Sequence, residues 1–105
     1  MIEIRIYTLA THEALEQYAT VNWKRHIPSL AAMGVTTHHV YLQENSIVPR
    51  LVAIVEYKQG DDPEAVTRAY MASPEFRADM EGFPMHEILK VDSVFVKPAS
   101  SDPGR

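Results

Sequence analysis

Hydrophobic and polar positions alternate from the start of the chain. Ile2, Ile4 and Ile6 fall on one side, and Glu3, Arg5 and Tyr7 on the other. Successive strand side chains point to opposite faces of a sheet, so residues 1–9 predict a strand. From Thr11 the period lengthens. Thr11 can cap a helix, with Glu13 in the first turn, where a carboxylate suits the positive dipole end. Leu15, Tyr18, Ala19, Asn22, Trp23, His26, Ile27 and Leu30 then recur at steps of three and four, the stripe of an amphipathic helix. Pro28 lacks an N–H and clashes with the turn before it, which predicts a kink or break near Ile27. A short second piece over 28–33 would end at Gly34, in the left-handed position after a helix.

Residues 35–43 are rich in β-branched and aromatic side chains and predict a second strand. Residues 51–58 predict a third, nearly continuously apolar and interrupted only by Glu56. Asp62-Pro63-Glu64 and Ser73-Pro74-Glu75 are two successive helix starts, each a capping side chain followed by proline and an acid. Tyr70 belongs to the first of these helices and Phe76 to the second. Residues 86–97 predict the last strand, and 98–105 a disordered polar tail.

The order β-α-β-β-α-β is the split βαβ arrangement: an α+β, ferredoxin-like domain over residues 1–97, with a four-stranded antiparallel sheet and helices on one face. Two helices cover one face only. Strand one offers Ile2, Ile4 and Ile6 on one side and Tyr7 and Leu9 on the other, and strand three offers Val52 and Ile54 on one side and Leu51, Ala53, Val55 and Tyr57 on the other, so either face left uncovered is apolar. A bare apolar face of that kind exceeds what soluble monomers usually expose. A homodimer joined through the helix-free sheet face, its two sheets closing into a barrel, is the expected remedy.

Composition narrows the function classes. In 105 residues the net charge is −4, without the basic face expected of a nucleic-acid partner. No apolar run approaches the roughly 20 residues that span a bilayer, and no leader is expected ahead of a strand that starts at once, so neither membrane nor export is expected. With no cysteine there is neither disulfide nor thiolate, and a cytoplasmic setting is the natural expectation. The four glycines are isolated, so no phosphate loop forms. No serine has the context of a nucleophile elbow, and no His-x-x-x-His spacing exists. No cofactor and no metal are expected.

Arg5-Ile-Tyr-Thr-Leu9, Trp23, Pro28, Gly34, Glu56-Tyr57 and Ser73-Pro74-Glu75-Phe76 together resemble a NIPSNAP domain. The resemblance spans about residues 1–97. It departs at Ala10-Thr11-His12, where a Pro-Gly pair is usual, and at Pro74-Glu75-Phe76, where Pro-x-Trp is usual. It implies the dimeric α+β barrel superfamily, which includes cofactor-independent antibiotic-biosynthesis monooxygenases, cyclases and isomerases. It also implies a ligand held between the sheet and the helices of one subunit, with Ile2, Ile4 and Ile6 toward the partner, and with Glu3, Arg5 and Tyr7, joined by Leu51, Ala53, Val55 and Tyr57, toward the helices.

Under that implication Arg5, Tyr7 and His26 are the candidate catalytic residues. Arg5 would grip a carboxylate or enolate with two N–H groups, a tyrosine would donate to a developing oxyanion, and His26 would act as general base. Trp23, Tyr57, Tyr70, Phe76 and His39 are the candidate pocket residues, suited to a small aromatic or carboxylate ligand. Neighbouring strand residues point opposite ways, so His38 and His39 are expected to divide between pocket and dimer interface and not to share a metal within one subunit. The competing expectation is structural: the aromatics are core, Arg5 pairs with Glu3, Glu13 or another acid, and the histidines are polar strand residues near an edge. Glu56 either is buried, with a raised pKa, or pairs with a base such as Lys58 or Lys97. Three functions stay open: a small-molecule-binding homodimer, a cofactor-independent monooxygenase, cyclase or isomerase acting on an aromatic or lactone substrate, and a non-catalytic interaction domain.

Overall fold

The computed structural model describes residues 1–99. Strands β1 (Ile2–Leu9), β2 (Thr36–Leu42), β3 (Arg50–Glu56) and β4 (Ile88–Val96) form one antiparallel sheet in the order β2-β3-β1-β4. Helices α1 (His12–Gln17) and α2 (Trp23–Ala32) follow β1, and α3 (Pro63–Met71) and α4 (Pro74–Asp79) follow β3. This is the ferredoxin-like α+β fold. The tail expected over 98–105 lies, from residue 100 on, outside the described residues.

The predicted caps are in place. Thr11 Oγ1 accepts from Ala14 N at 3.0 Å, and Ser73 Oγ accepts from Phe76 N at 3.1 Å. Asp62 Oδ1 accepts from Glu64 N at 3.2 Å, ahead of Pro63 at the first helical position. Each satisfies an N–H that a helix start leaves unpaired.

The break in the first helical stretch is not at Pro28. Helix α2 runs through Pro28, and the irregularity is a π-helical turn at Tyr18–Asn22, where Trp23 N–H bonds to Tyr18 O. Pro28 removes a single N–H, and Lys24, whose carbonyl loses that partner, lies on the solvent side of the helix. Within the wide turn, Thr20 Oγ1 donates to Glu16 O at 2.7 Å and competes with the backbone ladder. The extra residue in the turn carries both Asn22 and Trp23 inward, while Ile27, expected on the buried stripe, faces out.

Parity on β1 and β3 is as expected. Glu3, Arg5, Tyr7 and Leu9 lie under the helices with Leu51, Ala53 and Val55, whereas Ile2, Ile4, Ile6, Val52 and Ile54 are only part-covered on the open face. The last strand starts two residues later than predicted. Met85–Glu87 form a 3-10 turn, and Ala10 N bonds to Glu87 O at 2.8 Å, which holds the turn against the end of β1.

Strand β2 corrects the reading of the histidine pair. Thr37 pairs with Val55 but His39 pairs with Ile54, so one residue bulges between them. A bulge breaks strict alternation. His39 therefore shares the open face with Ile54, and the bulged His38 reaches Glu56 on that same face, Nε2 to Oε1 at 2.7 Å. His39 is not a pocket residue; its ring stacks on Tyr41 with centroids 5.1 Å apart. Glu56 is half-exposed, so it is no buried proton carrier, and its partner is His38 instead of a lysine. His12 and His86, at element ends, are exposed.

Candidate functional site

A cavity of about 390 Å³ opens between the sheet and the helices. Its floor is the buried side of β1, namely Glu3, Arg5 and Tyr7, with Val91 and Ser93 of β4 beside them. Tyr18, Trp23, His26 and Leu30 reach it from the first helical stretch, and Thr67, Tyr70, Phe76 and Met80 from α3 and α4. Met71, Met85 and Val91 form an apolar lip, each about half exposed. A second cavity of about 410 Å³ lies toward the start of α3 and shares Glu3, Thr67 and Ser93 with the first.

The floor is an internal ion pair. Arg5 Nε donates to Glu3 Oε1 at 2.8 Å, and both side chains are buried. Nη2 donates to Tyr57 Oη at 2.6 Å and to Thr67 Oγ1 at 3.2 Å, and Nη1 donates to Tyr7 Oη at 3.3 Å. A guanidinium has five N–H groups, so one on Nη1 is left over. The two-pronged grip on a carboxylate expected of Arg5 is therefore not available. Glu3 also accepts from Tyr57 Oη and Ser93 Oγ, each at 2.5 Å. Burial pushes the Glu3 carboxyl up, but the Ser93, Tyr57 and Arg5 donors outweigh it and hold it below the usual carboxylate range. Burial likewise works against the Arg5 charge, and Tyr7, Glu3 and Tyr57 outweigh it, so Arg5 stays protonated.

The opposite wall carries a second chain of hydrogen bonds. His26 Nδ1 meets the Tyr70 hydroxyl, and that hydroxyl donates to Asp79 Oδ2 at 2.5 Å. Asn22 Nδ2 donates to the Asp79 carbonyl at 2.9 Å, so the π-turn anchors the end of α4 that presents Asp79. Burial drives the His26 imidazolium down to a pKa of about 4, although Asp79 pulls the other way. The ring is neutral at neutral pH. Burial also raises the Tyr70 hydroxyl, with Asp79 adding to the shift, so it remains a proton donor.

An aromatic cluster surrounds the cavity. Tyr7, Tyr18 and Trp23 meet edge to face with centroids 5.4–6.4 Å apart, and Phe76 stacks on His26 at 5.9 Å. The indole N–H of Trp23, a residue 1% exposed, makes no well-formed hydrogen bond among the described residues, and its polar neighbour is the Tyr18 hydroxyl. Burial pushes the Tyr18 phenol well up.

The fold thus brings Arg5, Tyr7, Trp23, His26, Tyr70 and Phe76 to one cavity. Tyr57 is one step back, behind Arg5, and His39 is on the other face of the sheet. Sequence reasoning weighed Glu3 only as a partner for Arg5 and missed Asp79, Thr67 and Ser93. The strand parity of Glu3 was a usable signal; Asp79, at a helix end, had none. Among the described residues no group of three or more His, Asp or Glu side chains is placed to hold a metal ion, and no helix is long and apolar enough to cross a membrane.

Solved structures share this fold at low identity. A NIPSNAP family protein from Agrobacterium tumefaciens superposes with a TM-score of 0.76 at 14% identity, over 99% of this chain and 97% of that one. A NIPSNAP domain protein from Burkholderia xenovorans gives 0.71 at 16% identity, over 94% of each chain. An antibiotic biosynthesis monooxygenase gives 0.56 at 13% identity, over 94% of this chain and 99% of that one. No curated protein matches the chain. The NIPSNAP family profile matches residues 2–103, nearly the whole sequence, and the chain belongs to the NIPSNAP family.

Proposed function

We propose that the protein is a homodimer that binds a small molecule in the cavity between the sheet and the helices. The observation that carries this reading is the cavity itself: about 390 Å³, aromatic, with a neutral imidazole on one wall and a neutralised guanidinium on its floor. Concave, mostly apolar space with a few converging polar groups is what small-molecule sites look like. The dimer rests on the open sheet face, where Ile2, Ile4, Ile6, Val52 and Ile54 are part-covered and Tyr41 and Val94 are about half exposed. A second copy laid sheet to sheet removes that surface from water.

His26 favours a second reading, that of an enzyme. A neutral imidazole on the wall of a mostly apolar cavity can take a proton from a bound ligand. With that base the protein would act as a cofactor-independent monooxygenase, cyclase or isomerase on an aromatic or lactone substrate. The fold it shares with an antibiotic biosynthesis monooxygenase is compatible with this.

Native mass spectrometry of untagged protein tests both parts of the primary reading. It is expected to show two subunits, with a small molecule retained or accepted when 1-naphthol is added. Val91→Trp at the lip is expected to block uptake with the fold intact, and Ile4→Lys to give monomers. A monomeric parent rejects the dimer. Uptake unaffected by Val91→Trp rejects the cavity as the binding site. Turnover of a candidate substrate, abolished in a folded His26→Gln variant, separates the enzyme from the binding protein.

A further inference from the structure

Resting on the reading of this cavity as a ligand site, the geometry points to its ligand as an uncharged aromatic alcohol whose hydroxyl is taken by His26 Nε2, and not a carboxylate. Three observations combine.

First, the tautomer of His26 is set by its neighbours. The Tyr70 hydroxyl has one hydrogen, and it is donated to Asp79 Oδ2, because a carboxylate can only accept. The bond between Tyr70 and His26 Nδ1 therefore needs its hydrogen from the imidazole. A neutral ring with Nδ1 protonated carries its lone pair on Nε2. That atom makes no hydrogen bond within the described residues, and the ring lies on the cavity wall. The cavity thus offers an acceptor that only an O–H or N–H can satisfy.

Second, the walls around that acceptor are aromatic. Trp23 lies beside His26 with ring centroids 5.2 Å apart, and Phe76 stacks on the imidazole at 5.9 Å. The acidic O–H of an aromatic alcohol is a strong donor to the Nε2 lone pair. The edge-to-face aromatics around it suit an aromatic ring.

Third, the floor has no charge to spare for an anion. Arg5 is neutralised by Glu3 at 2.8 Å and has four N–H groups engaged. A carboxylate would lose its hydration, meet the Glu3 carboxylate and find no unpaired cation. Burying an unpaired charge costs several kcal/mol.

The test compares 1-naphthol, 1-methoxynaphthalene and 1-naphthoate on the intact protein near neutral pH, by calorimetry or Trp23 fluorescence. Naphthol is expected to bind about tenfold or more tighter than either other compound, the size of one buried hydrogen bond. Nitrogen NMR of His26 is expected to show a protonated Nδ1 and a bare Nε2, with the Nε2 signal moving on adding naphthol. Binding of methoxynaphthalene as tight as naphthol, or preference for naphthoate, overturns the inference but leaves a ligand cavity standing. A proton on Nε2 in the free protein overturns it too. Failure of all three compounds to bind removes the cavity reading together with it.

Discussion

His26 Nδ1 and Asp79 Oδ2 stand 3.6 Å apart, and the Tyr70 hydroxyl bridges them. The bridge joins α2, α3 and α4 through buried polar atoms, so its loss is felt by all three. Tyr70→Phe strips a donor from Asp79 and an acceptor from His26. Leaving such groups unpaired costs about 1–3 kcal/mol each. The variant is expected to unfold at lower denaturant, with the His26 tautomer no longer single in its nitrogen spectrum. Unchanged stability with one unchanged tautomer would show that the bridge is idle.

Acid should weaken the fold before any carboxylate in the floor titrates. His26 has a folded pKa of about 4 against an ordinary value of 6.5, so the unfolded chain takes up its proton first. The contribution of this group is complete above 6.5 and is lost as pH falls from there toward 4, by about 3 kcal/mol. Asp79 and Tyr70 face the ring, with Tyr18 edge-on to it, and Asp79 opposes the shift that burial imposes. Glu3 is held low, so its share is lost at still lower pH. Denaturant midpoints measured at steps from neutral to about pH 4 are expected to fall, and in His26→Gln to fall less. Identical pH profiles for parent and variant would contradict the assignment.

Glu3→Gln keeps the shape of the floor and removes its negative charge. Arg5 is then a buried cation without a counter-ion, and breaking a buried pair from one side costs about 3–5 kcal/mol. Ser93→Ala removes one of the donors to Glu3 and is expected to cost about 1 kcal/mol. Urea unfolding of the two variants should rank them in that order. A Glu3→Gln protein as stable as the parent would mean that Arg5 is solvated in the folded state.

Two glycines share a backbone conformation but not surroundings. Gly34 and Gly82 have φ near +87° and +85°. A Cβ on Gly34 would stand 2.8 Å from Lys58 Cε and 3.0 Å from Cδ, whereas one on Gly82 meets nothing within 4 Å. Gly82→Ala is expected to cost only left-handed strain, about 1–2 kcal/mol. Gly34→Ala is expected to cost more, unless the flexible Lys58 stem moves aside. Thermal melts of Gly34→Ala in parent and Lys58→Ala backgrounds separate the two contributions.

How much of this was legible beforehand differs by element. Period-two alternation placed Glu3, Arg5 and Tyr7 on one face, and the cap-proline-acid signals placed α3 and α4, because each depends on residues within a few positions of one another. The histidine pair failed by the same route. Alternation assumes an unbroken ladder, and the bulge between Thr37 and His39 depends on how β2 registers against β3, which is a property of two strands.

Local order in this chain therefore determined the strands, the helix starts, the α+β class and which side chains share a face of β1, since short-range sterics and burial periodicity decide those. Only the tertiary structure decided what Arg5 holds, that Asp79 stands behind His26 through Tyr70, and that the first helix widens at Tyr18–Asn22. Those facts depend on groups as far apart in the chain as Glu3 and Ser93 or Asn22 and Asp79. Folding must bring such atoms together before hydrogen bonding and low local polarity can set their charge and direction.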